Sequence, residues 1–168
     1  GPPAAAPGAD VQPDPVSDAA GPAAADRARD PSRDGGLYVH VPFCASICSY
    51  CHFARTARHD RAARERLVAA VVRELALRRE RCGALRDGQR RLATAYIGGG
   101  TPSLLEPELM TTLLAGTVGR LPAAADLELT VEANPESFDD ARAAAWRAAG
   151  VGRVSLGVQS LDEAVLRL

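Results

Sequence analysis

Apolar positions between residues 37 and 168 follow two alternating rhythms. Leu37, Val39 and Val41 recur at every second position, as do Leu127, Leu129 and Val131, and Val154, Leu156 and Val158. Period two marks strands, and the pattern predicts them over 37–41, 127–132 and 153–158. A further strand is expected over 93–97 (ATAYI), running into the turn Gly98-Gly99-Gly100-Thr101-Pro102. Between the strands the period becomes helical. Leu67, Val68, Val71, Val72 and Leu75 form one stripe in a helix predicted over 60–81, with Arg66, Arg73 and Glu80 off it. A second helix is expected over 106–118, with Pro107 near its first turn and Gly119 after its end. Ser137 is the expected cap of a third, with Asp139 and Asp140 in its dipole-favoured first turn and Gly150 at its end. A fourth starts at Leu161. The order βαβαβαβα implies a parallel sheet and an α/β fold.

The opposite parity of the strands is polar: Tyr38 and His40, Glu128, Thr130 and Glu132, then Ser155, Gly157 and Gln159. An open doubly wound sheet would be apolar on both faces. A polar second face fits a barrel whose lumen holds a polar ligand, with its chemistry at the C-terminal strand ends. Four βα units cannot close a barrel, so the chain is read as the N-terminal half of a partial TIM-type barrel in a longer protein.

Composition refines this reading. Residues 1–36 hold 10 Ala, 7 of the 12 Pro and 6 Asp, with Val11 and Val16 as the only larger aliphatics. They bury too little apolar area to offset their ordering entropy and are expected to form a disordered leader; six Asp and no apolar centre argue against a targeting peptide. The 168 residues carry a formal charge of −1, which favours neither nucleic acid nor an anionic membrane. All 20 basic residues are Arg, alongside 33 Ala, a bias of GC-rich codon usage. No apolar run approaches the roughly 20 residues of a membrane span, and a cytoplasmic location is expected.

The strongest chemical signal is Cys44-Ala-Ser-Ile-Cys48-Ser-Tyr-Cys51, directly after the first strand. Clustered thiols in a chain with four Cys point to metal in a reducing compartment rather than to a disulfide framework. A structural zinc site wants four ligands, for which His40, His52 or His59 would have to join; three thiolates instead match three corners of a 4Fe–4S cube with one iron left open. Cys82 is expected to be an unligated thiol, and His40 a supporting histidine rather than a ligand.

The C-x3-C-x2-C spacing, with an aromatic before the third Cys, resembles the radical S-adenosylmethionine enzymes. Tyr38-Val-His-Val-Pro-Phe-Cys44, Tyr50-Cys51-His52-Phe53, Tyr96-Ile-Gly-Gly-Gly-Thr-Pro-Ser103, Glu132-Ala-Asn-Pro135 and Val154-Ser-Leu-Gly-Val-Gln-Ser160 occur in order. They are similar to the coproporphyrinogen-oxidase-like branch, and most closely to its heme-chaperone members. The resemblance covers residues 37–168 and implies a truncated N-terminal part of the radical S-adenosylmethionine core there. It implies that Cys44, Cys48 and Cys51 hold the 4Fe–4S cluster, and that Tyr38, Tyr50, Gly99, Gly100, Thr101, Glu132 and Gln159 contact S-adenosylmethionine. In that family the reduced cluster passes one electron into the sulfonium, releasing methionine and a 5′-deoxyadenosyl radical.

The branch holds two activities. Its oxidases decarboxylate porphyrinogen propionates; its chaperones carry heme as cargo to apoproteins. An electron donor is an implied partner of either. The oxidase pattern has a further Cys where Phe53 stands here, which favours the chaperone, and His52 replaces the acid usual before that Phe. The alternatives are an oxygen-independent coproporphyrinogen III oxidase or related radical enzyme, and a zinc-binding structural module.

Overall fold

The computed structural model describes residues 32–81 and 90–166. Four parallel strands form one sheet in the order β1-β2-β3-β4: β1 Asp34–Val41, β2 Arg91–Gly99, β3 Ala123–Ala133 and β4 Arg153–Leu156. Helices α1 Arg61–Arg81, α2 Pro107–Gly116 and α3 Asp140–Ala148 connect them, and the short α4 Glu163–Leu166 follows β4. The α/β alternation is the one read from periodicity.

Packing follows the patterned stripes. On one sheet face Val39 and Val41 of β1, Ala95 and Ile97 of β2, and Leu129 and Val131 of β3 are buried. They meet Val68 of α1, Met110, Leu113 and Leu114 of α2, and Trp146 of α3 in one core. Burying each larger aliphatic is worth about 1.5–3 kcal/mol. Gly116 lets α2 lie on α1, because a Cβ there would collide with Val72. Asp60 accepts from the Ala63 amide at 2.7 Å and caps α1,.

Several boundaries move. β1 begins at Asp34 because residues 34–36 already pair with β2 and Asp34 bonds Arg91 at 2.8 Å; most of the predicted leader, residues 1–31, lies outside the described residues, as does Cys82. The second helix ends at Gly116, and Val118–Arg120 is a separate 3-10 turn. Ser137 is not the cap of α3. It sits in the tight turn Pro135–Ser137 with its hydroxyl 2.6 Å from that of Ser103, and Asp139 caps instead, accepting from the Arg142 amide at 2.8 Å.

The fourth strand is also shorter than its apolar pattern. β3 stops at Ala133, which leaves β4 nothing to pair with beyond Leu156; the Gly157 amide still reaches the Ala133 carbonyl at 2.9 Å, and Gln159 then turns with φ of 65°. Val154, Leu156 and Val158, expected to pack beneath helices, are exposed instead. Among the described residues no helix covers them.

Candidate functional site

The site is built where the strands end. The chain leaves β1 at Val41 and makes an excursion closed at its base: the Cys44 amide donates to the Thr56 carbonyl at 3.0 Å, and the Thr56 amide to the Pro42 carbonyl at 2.7 Å. The neighbouring β2 turn is stitched to the same base, with the Gly100 amide on the Val41 carbonyl (2.8 Å) and the Thr101 amide on the Phe43 carbonyl (2.6 Å). Gly100 is required there, since a Cβ would lie 2.6 Å from the Phe43 carbonyl oxygen and 3.0 Å from the Cys44 sulfur. Gly99 has φ of 119°, and its missing side chain leaves room for the His40 ring,.

A cavity of about 320 Å³ opens over these turns. Cys44, Cys48, Cys51 and Tyr50 line it from the loop; Gly99, Gly100 and Thr101 line it from β2, Glu132 and Asn134 from β3, and Gln159 from the turn after β4. Nine of the ten predicted site residues therefore share one cavity. Tyr38 does not line it. It lies further down the open face, its ring stacked on Tyr96 with centroids 6.2 Å apart. Gln159 lines the cavity from beyond the strand rather than from its end, donating to the Gly157 carbonyl at 3.3 Å.

Electrostatics distinguish the walls. Glu132 is held by the Tyr96 hydroxyl (2.7 Å) and the Gly99 amide (2.9 Å), one donor on each carboxylate oxygen. That hydrogen bond, with burial, pushes the Tyr96 phenol up; burial and then the Glu132 charge do the same to Tyr38. Burial raises the Cys44 thiol, opposed by a hydrogen bond with Thr101. The Tyr50 phenol is raised by its hydrogen bond with Cys48.

The histidines offered as zinc partners are otherwise engaged or apart. His40 Nε2 donates to the Ala54 carbonyl at 2.6 Å, leaving Nδ1 to accept from the Tyr38 hydroxyl at 3.0 Å,. His59 accepts from Arg64 at Nδ1 (2.8 Å) and donates from Nε2 to the Cys44 carbonyl (3.2 Å),. His52 is exposed and outside the cavity lining. Bonds of 2.3 Å to one zinc would bring sulfurs within about 4 Å of each other; among the described residues no group of three His, Cys, Asp or Glu is placed to hold one metal ion. Ligands on separate corners of a cube need no such convergence. The donor set and a buried Arg55 Nε without a partner fit a cluster in this cavity,.

Arg55 was not evident from the sequence, nor were Gly98, Asn134 or the Ser103–Ser137 pair. Gly98 is packed against Tyr96 and Glu132, and the Asn134 amide donates to Ser103 Oγ at 3.1 Å. Glycine and serine there continued recognisable turns, while an Arg in an arginine-only chain carries no signal.

A parallel α/β sheet with a three-cysteine loop at the mouth of its first strand defines a cofactor-binding scaffold. Residues 38–168 match the family model of the radical SAM superfamily, and the chain belongs to that superfamily. The heme chaperone HemW of Escherichia coli (strain K12) is 41% identical over 131 residues, covering 78% of this chain and 33% of the relative. The oxygen-independent coproporphyrinogen III oxidase of Cereibacter sphaeroides is 40% identical over 126 residues, 75% of this chain and 27% of that protein. The solved structure of coproporphyrinogen III oxidase (HemN) from Escherichia coli, described as a radical SAM enzyme, matches with a TM-score of 0.72 at 28% identity, covering 83% of this chain and 31% of that one. The chain thus spans between 27% and 33% of the length of these relatives. Among the described residues no helix is long and apolar enough to cross a membrane.

Proposed function

We propose that this chain provides the 4Fe–4S- and S-adenosylmethionine-binding part of a HemW-like heme chaperone, which binds heme and delivers it to apoproteins. One observation carries the cofactor reading: Cys44, Cys48 and Cys51 line the same cavity as Gly99–Thr101, Glu132 and Gln159. In this reading the three thiolates hold the cluster, and the Gly99–Gly100 backbone and Glu132 receive the amino and hydroxyl groups of S-adenosylmethionine. When bound, the two cofactors supply one-electron radical chemistry. The chain's own part is to fix Glu132 from two sides, keep the Cys loop closed at Thr56 and line the cavity. Tyr38 acts through Tyr96 and His40 in this reading. A cytoplasmic setting suits three uncrosslinked thiols,.

Phe53 supports the chaperone over the oxidase. Its ring is 66% exposed and lines the cavity, offering an apolar face to a flat macrocycle where the oxidase pattern places a thiol. The 40% identity to the Cereibacter oxidase favours a second reading, oxygen-independent coproporphyrinogen oxidation. Anaerobic reconstitution of the intact protein with iron and sulfide, followed by heme titration beside product analysis with coproporphyrinogen III, S-adenosylmethionine and a reductant, separates them. Heme binding without decarboxylation is expected. Multiple-turnover decarboxylation establishes the oxidase, and stoichiometric zinc in a colourless protein defeats both.

A further inference from the structure

We propose that Arg55 is a positioning residue for the cluster: it clamps the ligand loop and sets a fixed positive charge beside the three thiolates, favouring the one-electron-reduced state. This rests on the cofactor reading above. Arg55 Nη1 donates to the Phe53 carbonyl at 3.0 Å and Nη2 to the Cys48 carbonyl at 3.2 Å. Those two bonds tie together the ends of the segment that carries Cys48 and Cys51, already turned by the Cys51 amide on the Cys48 carbonyl at 3.2 Å. A planar guanidinium spans two carbonyls in this way; a Lys ammonium does not hold the same fork.

Charge gives the second half of the argument. Glu132 and Glu136 line the cavity along with the three cysteines, and Arg55 is the sole basic residue in its lining among the described residues. Its Nε is buried without a partner, a donor left over for a sulfur. Ligation converts three thiols to anions, and one electron from an external low-potential donor adds a further negative charge with no bond made or broken at Arg55. A nearby cation stabilises each increment.

The test compares wild type, Arg55→Gln and Arg55→Lys in the intact protein, reconstituted anaerobically. Iron per chain, the reduced-to-oxidised cluster ratio by electron paramagnetic resonance during dithionite titration, and thermal unfolding of each apoprotein are measured. At the potential that half-reduces wild type, Arg55→Gln is expected to show a ratio about tenfold lower, the order of effect one charge supplies at several Å. Arg55→Lys is expected to recover the ratio but to load less iron, having lost the fork. An Arg55→Gln ratio equal to wild type overturns the proposal. If Arg55→Gln loads no iron, a wild-type ratio in Arg55→Lys supports it. Loss of iron from both variants with wild-type apoprotein unfolding reduces the role to the clamp and overturns the charge. Failure of wild type itself to take up iron and sulfide overturns the cofactor reading instead.

Discussion

Val39, Ile97, Val131 and Val154 form one row across the sheet in register, and Tyr38, Tyr96, Thr130 and Arg153 form the row beside it. The first row faces the helices, and its members on β1, β2 and β3 are enclosed by the core. The second faces the open side, where Tyr38 stacks on Tyr96 and Arg153 Nε donates to Thr130 Oγ1 at 2.9 Å. One residue step along each strand thus separates groups that stabilise by leaving water from groups that stabilise by pairing. The cavity stands at the end of the second kind of row, and its three cysteines, carried on the loop outside the sheet, can be altered with little loss of fold. Residues of the first kind cannot.

The largest expected effect tests that separation from the chemical side. Replacing Cys44, Cys48 or Cys51 singly by Ala should abolish the reconstituted cluster, read as iron content and visible absorbance, while Cys82→Ala leaves it intact. Each loss removes one of three thiolates from a short loop. Because all three line the open cavity, apoprotein unfolding should stay close to wild type. A large drop in unfolding temperature would place these thiols in the fold's support.

Neighbours across the two faces sharpen the comparison. Ile97→Ala, at a position with no exposure, should cost about 2–5 kcal/mol. Tyr96→Phe, one residue away, removes the hydroxyl bonded to Glu132 and should cost about 1 kcal/mol, with its larger consequence in S-adenosylmethionine affinity. Denaturant unfolding of both variants measures the contrast. Equal costs would mean that the open face is as structural as the covered one. Gly116→Ala falls between them: the added methyl meets Val72 across α1 and α2, and overpacking of that kind costs about 1–3 kcal/mol.

Legibility in the sequence divides along the same line. Leu127, Leu129 and Val131, and the stripe from Leu67 to Leu75, announce their burial because a repeated period leaves one face to cover. The Cys loop and the Gly99–Thr101 turn are legible because few residue types perform their tasks. The end of β4 was not, since Val158 continues the alternation while its pairing depends on where β3 stops. Ser137 and Asp139 are both good caps; the Ser103 hydroxyl, 34 residues away, decides between them. Arg55 is known only by the two carbonyls it reaches, and Tyr38 shows its parity in the sequence but not its distance from the cavity.

The smallest effect probes the open face by titration. The chain has 3 Tyr, each with its phenol raised, but for different reasons: Tyr96 first by its hydrogen bond to Glu132, Tyr38 first by burial and then by the Glu132 charge, and Tyr50 first by its hydrogen bond with Cys48. Glu132→Gln should therefore bring the Tyr96 phenol and, to a lesser degree, that of Tyr38 down toward the ordinary value, so that both ionise at lower pH, while leaving Tyr50 in place as an internal control. Phenolate absorbance across alkaline pH, assigned with single Tyr→Phe variants, reads all three. The sign for stability follows from the direction of shift: a phenol raised in the folded state favours folding below its unfolded value of about 10 and loses that contribution as pH rises through the folded value. Wild type should thus lose stability to alkali more steeply than Glu132→Gln. Parallel movement of Tyr50 would mean that Glu132 acts on the whole Cys loop; no movement of Tyr96 would mean that the carboxylate is not the partner its 2.7 Å hydrogen bond indicates.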